Sequence, residues 1–304
     1  MSERDDLIRA LLGGEKVRSL TPEEMVENLS REGYKIVKDD PQAERQRVTR
    51  VAAQAQSRWS GGSVVKIGVF SCPHLGSRQQ QLTHLEAFYS RCEDEGVTDI
   101  FCAGDVCEGD GNVYKGQRYD VFLHGVDAQV EYVIDAFPRR RGITTHAIAG
   151  NHDMSFWQRG GADVLRMVAD HRFDFRYYGS YGADIVYEGV RIYLSHGDGG
   201  VAYARSYKPQ RRIEQFAPER KPDVYLLGHY HVFDHLPMYR NVVSWELGCF
   251  QSQTEYLRRK GVYPEVAGLI MTIYKGTEGA DRSGGFVRVV NEVVGLYVPR
   301  QEDF

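Results

Sequence analysis

The stretch that decides the fold runs from residue 66 to residue 153 and contains three segments of one kind: KIGVFSCPH (66–74), DIFCAGDVCE (99–108) and TTHAIAGNHD (144–153). Each opens on an apolar run that predicts a buried β-strand, and these runs are Lys66–Phe70, Asp99–Ala103 and Thr144–Ala149. Helical patterns over Arg78–Glu95 and Asp120–Phe137 connect them, as crossovers between parallel strands require. Because open α/β sheets build ligand sites at the carboxyl ends of parallel strands, we expect a site where these segments end.

The rest of the chain predicts a second sheet. Asp184–Tyr187 and Val190–Leu194 alternate around a Glu-Gly turn, which is typical of a hairpin. Further predicted elements are a helix at Trp157–Ala169 and strands at Asp223–Leu227, Val242–Leu247, Val266–Tyr274 and Gly285–Tyr297. The sequence therefore predicts an α/β fold over residues 64–304, a four-layer sandwich of two mixed β-sheets flanked by helices.

Residues 1–60 form a separate small helical segment in this interpretation. Asp5–Leu12 predicts a short amphipathic helix, and Thr21-Pro-Glu-Glu is a typical helix start, followed by a short predicted strand at Tyr34–Val37. This order fits either a reduced winged helix-turn-helix or a helical arm that packs on the main domain or on a partner. Glycine and serine at residues 60–63 mark the boundary.

Composition excludes several classes of protein. The 304 residues carry a net charge of −4, so contact with nucleic acid would need a local basic patch. The five cysteines are an odd number and do not indicate a disulfide framework. No apolar run approaches the roughly 18 residues of a membrane span, and the charged N-terminus does not resemble a signal peptide. We expect a cytoplasmic protein without membrane contact.

Five loops after predicted strands concentrate metal-binding side chains. Two later loops, Ser195-His196-Gly197 and Gly228-His229-Tyr230-His231, join the three described above, and together the five loops hold five of the ten histidines. A pair of divalent ions needs a carboxylate that can bridge and several imidazoles. The loops supply Asp105 as the bridging candidate and Asn151 as an amide oxygen, and His152 is placed to meet a substrate. The four candidate imidazole ligands are His74, His196, His229 and His231.

These motifs resemble the calcineurin-like metallophosphoesterase superfamily. The family pattern is D-x-H, G-D-x-x-(D/E/N), G-N-H-(D/E), a lone H followed by G, and G-H-x-H, in that order, and the likeness covers about residues 64–250. The resemblance implies a first metal on position 72, His74, Asp105 and His231, and a second on Asp105, Asn151, His196 and His229. It also implies that His152 contacts the phosphate and protonates the leaving oxygen, oriented by Asp153. Glu108 is either a supporting residue or a solvated carboxylate.

One position departs from the family pattern, because Cys72 stands where the first motif has aspartate. Thiolate suits zinc or iron better than magnesium or manganese. Three interpretations are open: Cys72 is a ligand that favours zinc or iron at the first site, it lies beside a weakened first site, or the protein is catalytically silent and retained for binding. The expected cofactors are two divalent ions, which are manganese, zinc or iron.

The segment after the last metal motif bears on the substrate. It reads QSQTEYLRRK (251–260) and resembles the Q-x-Q-T-E-(F/Y) stretch in the exonuclease subunit of archaeal family-D DNA polymerases. The candidate substrate-binding residues are Gln251, Gln253, Thr254, Arg258 and Arg259. Cations near a two-metal site would hold a polyanionic backbone, and Tyr256 or Tyr114 could stack on a base. The alternative is a helix that packs its tyrosine and exposes its arginines.

The sequence leaves three hypotheses about function. The first is a metal-dependent phosphodiesterase that acts on DNA, a nuclease of repair or replication type that uses a metal-activated hydroxide, with His152 assisting departure. The second is a phosphatase or phosphodiesterase for small molecules or phosphoproteins. The third is a catalytically silent DNA-binding protein that uses residues 1–60. The expected partners are DNA, either single-stranded or at its ends, together with repair or replication proteins or a second copy of the chain.

Overall fold

The computed structural model describes residues 62–276 and 286–297. The predicted helical segment of residues 1–60 lies outside them, and so does residue 61 of its boundary. The described residues form eleven strands: β1 Gly62–Phe70, β2 Asp99–Cys102, β3 Thr144–Ala149, β4 Phe175–Ser180, β5 Gly182–Tyr187, β6 Val190–His196, β7 Val224–Gly228, β8 Asp234–Tyr239, β9 Val242–Glu246, β10 Val266–Gly276 and β11 Phe286–Tyr297.

Two mixed sheets contain these strands. The first has the order β11-β10-β1-β2-β3-β4, with β1 to β4 parallel and β10 antiparallel to β1. The second has the order β5-β6-β7-β9-β8, with β6, β7 and β9 parallel. Consequently the ends of β1, β2 and β3 in one sheet and of β6 and β7 in the other carry the five predicted loops.

Six α-helices accompany the sheets in the described ranges: α1 Leu82–Asp94, α2 Val126–Ala136, α3 Asn151–Gly160, α4 Val164–His171, α5 Tyr207–Glu214 and α6 Glu255–Lys260. The predicted single helix at Trp157–Ala169 is wrong. Gly161 adopts a left-handed conformation with φ of 74° and ends α3, and the Asp163 side chain then accepts a hydrogen bond from the Arg166 amide and caps α4. The strands β4 and β8 and the helix α5 were not predicted. In the part of the chain that the structure describes, no helix is both long and apolar enough to cross a membrane.

Alternating side chains along β1 build the layers. Val65, Ile67 and Val69 enter the core between the two sheets, where they meet residues of β6, β7 and β9. Phe70 belongs to the opposite core, which packs the first sheet against α1, α2 and α4. A third cluster, which includes Ile213 and Tyr225, packs α5 on the outer face of the second sheet. The structure confirms the predicted four-layer sandwich.

Candidate metal centre

Backbone hydrogen bonds hold the first two predicted loops together. The amide of Cys72 donates to the carbonyl of Gly104 at 3.0 Å, and the amide of His74 donates to the carbonyl of Asp105 at 3.1 Å. The pairing continues from Leu75 to Val106 at 2.8 Å. The two loops therefore extend the β1–β2 pairing and bring their candidate ligands side by side.

Backbone strain concentrates at the predicted ligands. The structure describes nine non-glycine residues with positive φ, and five of them are predicted ligands: Cys72 (53°), His74 (47°), Asp105 (55°), His229 (93°) and His231 (58°). A left-handed conformation costs a non-glycine residue about 1–2 kcal/mol. Such strain persists where the surrounding fold enforces it, and it is typical of functional sites.

The ligand atoms form two groups that share Asp105. In the first group, the Nε2 atoms of His74 and His231 lie 3.0 Å apart, and His74 Nε2 lies 3.8 Å from Asp105 Oδ2. In the second group, His196 Nε2 lies 3.0 Å from Asp105 Oδ2 and 3.0 Å from Asn151 Oδ1. His229 Nδ1 completes this group at 3.2 Å from His196 Nε2. The structure thus brings together the residues that the resemblance implied for each metal.

Asp105 is held in the orientation that a bridge requires. Its Oδ1 accepts a hydrogen bond from the His152 amide at 2.9 Å, so Oδ2 faces the imidazoles. Burial by itself would raise the pKa of this carboxyl, but the neighbouring imidazoles of His196 and His152 outweigh burial and hold the pKa well below its ordinary value. Asp105 is therefore ionised and available to cations.

Two of the imidazoles have their second nitrogen fixed by a carbonyl. His196 Nδ1 donates to the carbonyl of Ala103 at 2.7 Å, and His229 Nε2 donates to the carbonyl of Gly199 at 2.9 Å. Burial and then the charge of His196 lower the pKa of His229 to about 4. These contacts leave an unprotonated nitrogen on neutral His229 that points into the site, as metal ligation needs.

Cys72 occupies the position that the ligand interpretation requires. Its sulfur is fully buried and lies within 4.8 Å of the ligand atoms of His74 and His231, and also of those of Asp105 and His196. Burial first, and Asp105 second, raise the pKa of the thiol well above its ordinary value. A bound cation would instead lower the pKa of the thiol, since metals bind the thiolate. The set of one thiol, four imidazoles, one carboxylate and one amide fits a pair of transition-metal ions.

The structure corrects the sequence-based assignment for Asp153. Its carboxylate accepts hydrogen bonds from the amides of Cys107 (2.7 Å), Gly150 (2.8 Å) and Val106 (3.2 Å), so it caps α3 and fixes the Asp105 loop. His152 lies in the first turn of α3, and its Nδ1 donates to the carbonyl of Glu108 at 2.7 Å. Glu108 therefore supplies the orienting contact that the sequence placed on Asp153.

Glu108 is a supporting residue and not a solvated carboxylate. It is fully buried, with Oε2 3.0 Å from His74 Nδ1 and 3.9 Å from His152 Nδ1. The side-chain amides of Gln117 and Gln251 each donate to this carboxylate at 3.0 Å. Burial would raise the pKa of Glu108, but the contact with His74 and the charge of His152 lower it. In the sequence, only the spacing of Glu108 from Asp105 indicated that Glu108 belongs to the site.

A cleft of about 760 Å³ opens over the metal centre. Of the predicted substrate-binding residues described by the structure, Gln251 and Thr254 line it, whereas Gln253, Arg258 and Arg259 do not. The side chain of Gln253 donates to the carbonyl of Val262 at 2.8 Å, and Thr254 accepts from the Leu257 amide and caps α6. This segment thus mainly organises the wall of the cleft.

The wall also contains the two tyrosines that the sequence analysis considered for base stacking. Tyr114 and Tyr256 stack with their ring centroids 4.5 Å apart, and Lys260 lies 5.7 Å from the Tyr256 ring. The opposite side is the loop of residues 199–203, which includes the fully exposed Tyr203. The cleft therefore combines an aromatic wall, one lysine and the metal centre.

Comparison with known proteins agrees with this site. Residues 65–243, more than half of the chain, match the profile of the calcineurin-like phosphoesterase superfamily domain. The chain belongs to this superfamily, whose members use a dinuclear divalent metal centre. Membership and site together support a metal-dependent phosphoesterase.

The solved structures that match this chain include one from a bacterium and one from Entamoeba histolytica. A conserved uncharacterized protein and predicted phosphoesterase from Streptococcus pneumoniae TIGR4 is 14% identical, with a TM-score of 0.38 over 70% of this chain and 85% of that one. Wild-type Vps29 from Entamoeba histolytica, complexed with zinc, is 11% identical, with a TM-score of 0.35 over 77% of this chain and 100% of that one. No curated protein matches the sequence.

Proposed function

We propose that the chain is a dinuclear-metal phosphodiesterase that acts on DNA, with single strands or strand ends in the cleft. Cys72, His74, Asp105 and His231 would hold one ion, and Asp105, Asn151, His196 and His229 the other. The thiol at position 72 favours zinc or iron in the first site. When bound, the ions supply charge neutralisation at the phosphate and activation of water.

His152 acts as the acid in this proposal. Its Nδ1 proton is held by the Glu108 carbonyl, so Nε2 is the nitrogen that can give a proton to the leaving oxygen. Burial opposes a charged imidazole, but the charges of Asp105 and Glu108 outweigh burial and raise the pKa of His152 above its ordinary value. The raised pKa favours the protonated imidazole that the role of acid requires.

The aromatic wall is the observation that supports a nucleic acid substrate. Tyr114 and Tyr256 lie in the same cleft as His152, with the rings of Tyr114 and His152 6.1 Å apart. Tyr256 is 37% exposed, and a planar base can stack on its ring in place of Lys260, whose Nζ lies 5.7 Å from the ring centroid. Stacking of a base on an aromatic side chain contributes about 1–3 kcal/mol to binding.

A second candidate is a phosphatase or phosphodiesterase for small esters. The expected DNA-binding cation Arg258 is paired with Glu255 through two contacts of 2.8 Å, which neutralises its charge. Lys260 is then the only one of the three cations at residues 258–260 that lines the cleft. A small ester needs fewer cations than a DNA backbone does.

An assay with four substrates distinguishes the DNA proposal from the second candidate. The substrates are end-labelled single-stranded DNA, end-labelled double-stranded DNA, a chromogenic diester and a chromogenic monoester. We expect zinc- or manganese-dependent DNA products that disappear in His152→Ala. Tyr256→Ala and Lys260→Gln should each slow DNA cleavage about tenfold and leave the small diester unchanged, while Arg258→Gln serves as the control cation outside the cleft. Hydrolysis of small esters alone would replace the DNA proposal with the second candidate.

A further inference from the structure

A second cavity, of about 450 Å³, lies on the outer face of the second sheet beside α5. Side chains alternate along β6, so Leu194 enters the core between the two sheets while Tyr193 and Ser195 face this cavity. His196, at the end of β6, also lines the cavity. Tyr225 of β7 adds a further hydroxyl to the lining. Apart from His196, the residues that line this cavity have no role in the functions considered above.

Two cations from α5 line the cavity, and both have neutral partners. Lys208 Nζ donates to the backbone carbonyl of Asp198 at 2.9 Å and lies 5.0 Å from the Tyr230 ring. Arg212 donates to the Tyr193 hydroxyl and, at 3.3 Å, to Gln215 Oε1. Among the described residues that line the cavity there is no aspartate or glutamate. The cavity is therefore locally positive, although the chain as a whole is acidic.

The hydroxyl groups of the cavity leave protons that can be donated to a ligand. Ser195 Oγ and Tyr225 Oη lie 2.9 Å apart, so one of them donates to the other and one proton is left over. The Tyr193 oxygen accepts from Arg212, which leaves its own proton free to donate. An oxyanion is the ligand that satisfies several donors and two cations together.

We propose that this cavity, which we call the α5 pocket, binds a tetrahedral oxyanion of the phosphate class. Two sources share this chemistry: a phosphate flanking the scissile one in a polynucleotide, and free phosphate. Tyr230 connects the pocket to the metal centre, because it lines both cavities and stands between the predicted ligands His229 and His231. The proposal needs only phosphate binding and does not depend on the chain cleaving DNA.

Equilibrium dialysis of the metal-loaded full chain with radiolabelled inorganic phosphate tests the α5 pocket. We expect a phosphate site in addition to any at the metal centre, with affinity about tenfold weaker in Arg212→Gln and in Lys208→Gln. Arg211→Gln is the matched control, since it removes the same charge from the same helix but does not line the pocket. Hydrolysis of a small diester should be unchanged in all three variants, which also verifies that they fold. Equal phosphate binding by the wild type, Arg212→Gln and Lys208→Gln would overturn the proposal.

A second arm identifies the source of the phosphate. Binding of a fluorescent single-stranded oligonucleotide is measured with wild type, Arg212→Gln and Arg212→Lys. If Arg212→Gln weakens oligonucleotide binding and Arg212→Lys restores part of it, the pocket holds a flanking phosphate. If Arg212→Gln weakens the binding of inorganic phosphate but not of the oligonucleotide, the α5 pocket is still a phosphate site and its ligand is free phosphate.

Discussion

At the scale of single residues, Cys72 is the most informative departure from the family pattern. Its thiol lies in both groups of ligand atoms, so its chemistry should set the choice of metal. We expect Cys72→Asp to shift the ratio of bound zinc to manganese about tenfold toward manganese, because a carboxylate is a harder ligand. Metal content after dialysis against equal zinc and manganese measures this ratio. Cys107→Ser, which changes a buried thiol outside both groups, should keep the wild-type ratio. An unchanged ratio in Cys72→Asp would mean that position 72 is not a ligand.

Substitution of Glu108 tests how the pKa of His152 is set. The charge of Glu108 supports a raised pKa of His152, and its carboxylate faces His74. Glu108→Gln keeps the size of the side chain and removes the charge, so the pKa of His152 should fall. Because the protonated imidazole is the active form, the alkaline limb of the pH–rate profile should move to lower pH, with kcat reduced about 10- to 100-fold. A profile whose alkaline limb stays in place would rule out this tuning. The neighbouring Asp110→Asn is a control, since Asp110 pairs with Arg159 away from the metal groups.

At the scale of elements, the junction of β3 and α3 sets the geometry of the site. A Cβ on Gly150 would lie 2.2 Å from Asp105 Oδ1 and 2.7 Å from His196 Cε1, although its φ of −96° suits any residue. We expect Gly150→Ala to displace Asp105 and lower kcat/KM by about 100-fold, as small misplacements of catalytic groups do. Small-ester hydrolysis and metal content measure the effect.

The same helix offers the matched control for this substitution. Gly160 ends α3, and a Cβ there meets nothing within 4 Å. Gly160→Ala should therefore leave metal content and rate unchanged. Equal activity of the two variants would show that the junction tolerates a side chain and that the close approach of Gly150 to Asp105 has no functional role.

At the scale of the whole molecule, the metal centre joins the two sheets. His74, Asp105 and Asn151 follow strands of the first sheet, whereas His196 ends β6 and His229 follows β7 of the second. Metal that binds only the folded chain should stabilise it by about 2.7 kcal/mol when free zinc is about 100 times Kd. Calorimetry with zinc and with a chelator should show a higher Tm with zinc. The difference should become smaller in His231→Ala, which removes a ligand of one ion only, and persist in full in His124→Ala, an exposed histidine outside the metal groups. An undiminished difference in His231→Ala would show that zinc does not bind through His231.

Much of this architecture was predictable from sequence because its signals are local. The apolar runs ending at Phe70 and Ala149 and the alternation around residues 188–189 each predict a strand from neighbouring residues alone. The helix boundary at Gly161 was missed although Gly160, Gly161 and the capping Asp163 are local signals of a break between two helices. The strand β8 contains Pro237 near the edge of its sheet and lacks the usual strand pattern.

The sequence by itself determined the first three strands, their helical crossovers and the loops that carry the candidate ligands, because these follow from local residue type and spacing. The grouping of the ligands and the class of chemistry came from the resemblance to the family. Only the tertiary structure decided what each buried polar group contacts. Asp153 became a cap for backbone amides, Glu108 became the support of His74 and His152, and Tyr114 met Tyr256. The physical reason is that a buried donor or acceptor must be satisfied by whichever partner the packing of distant segments brings within reach.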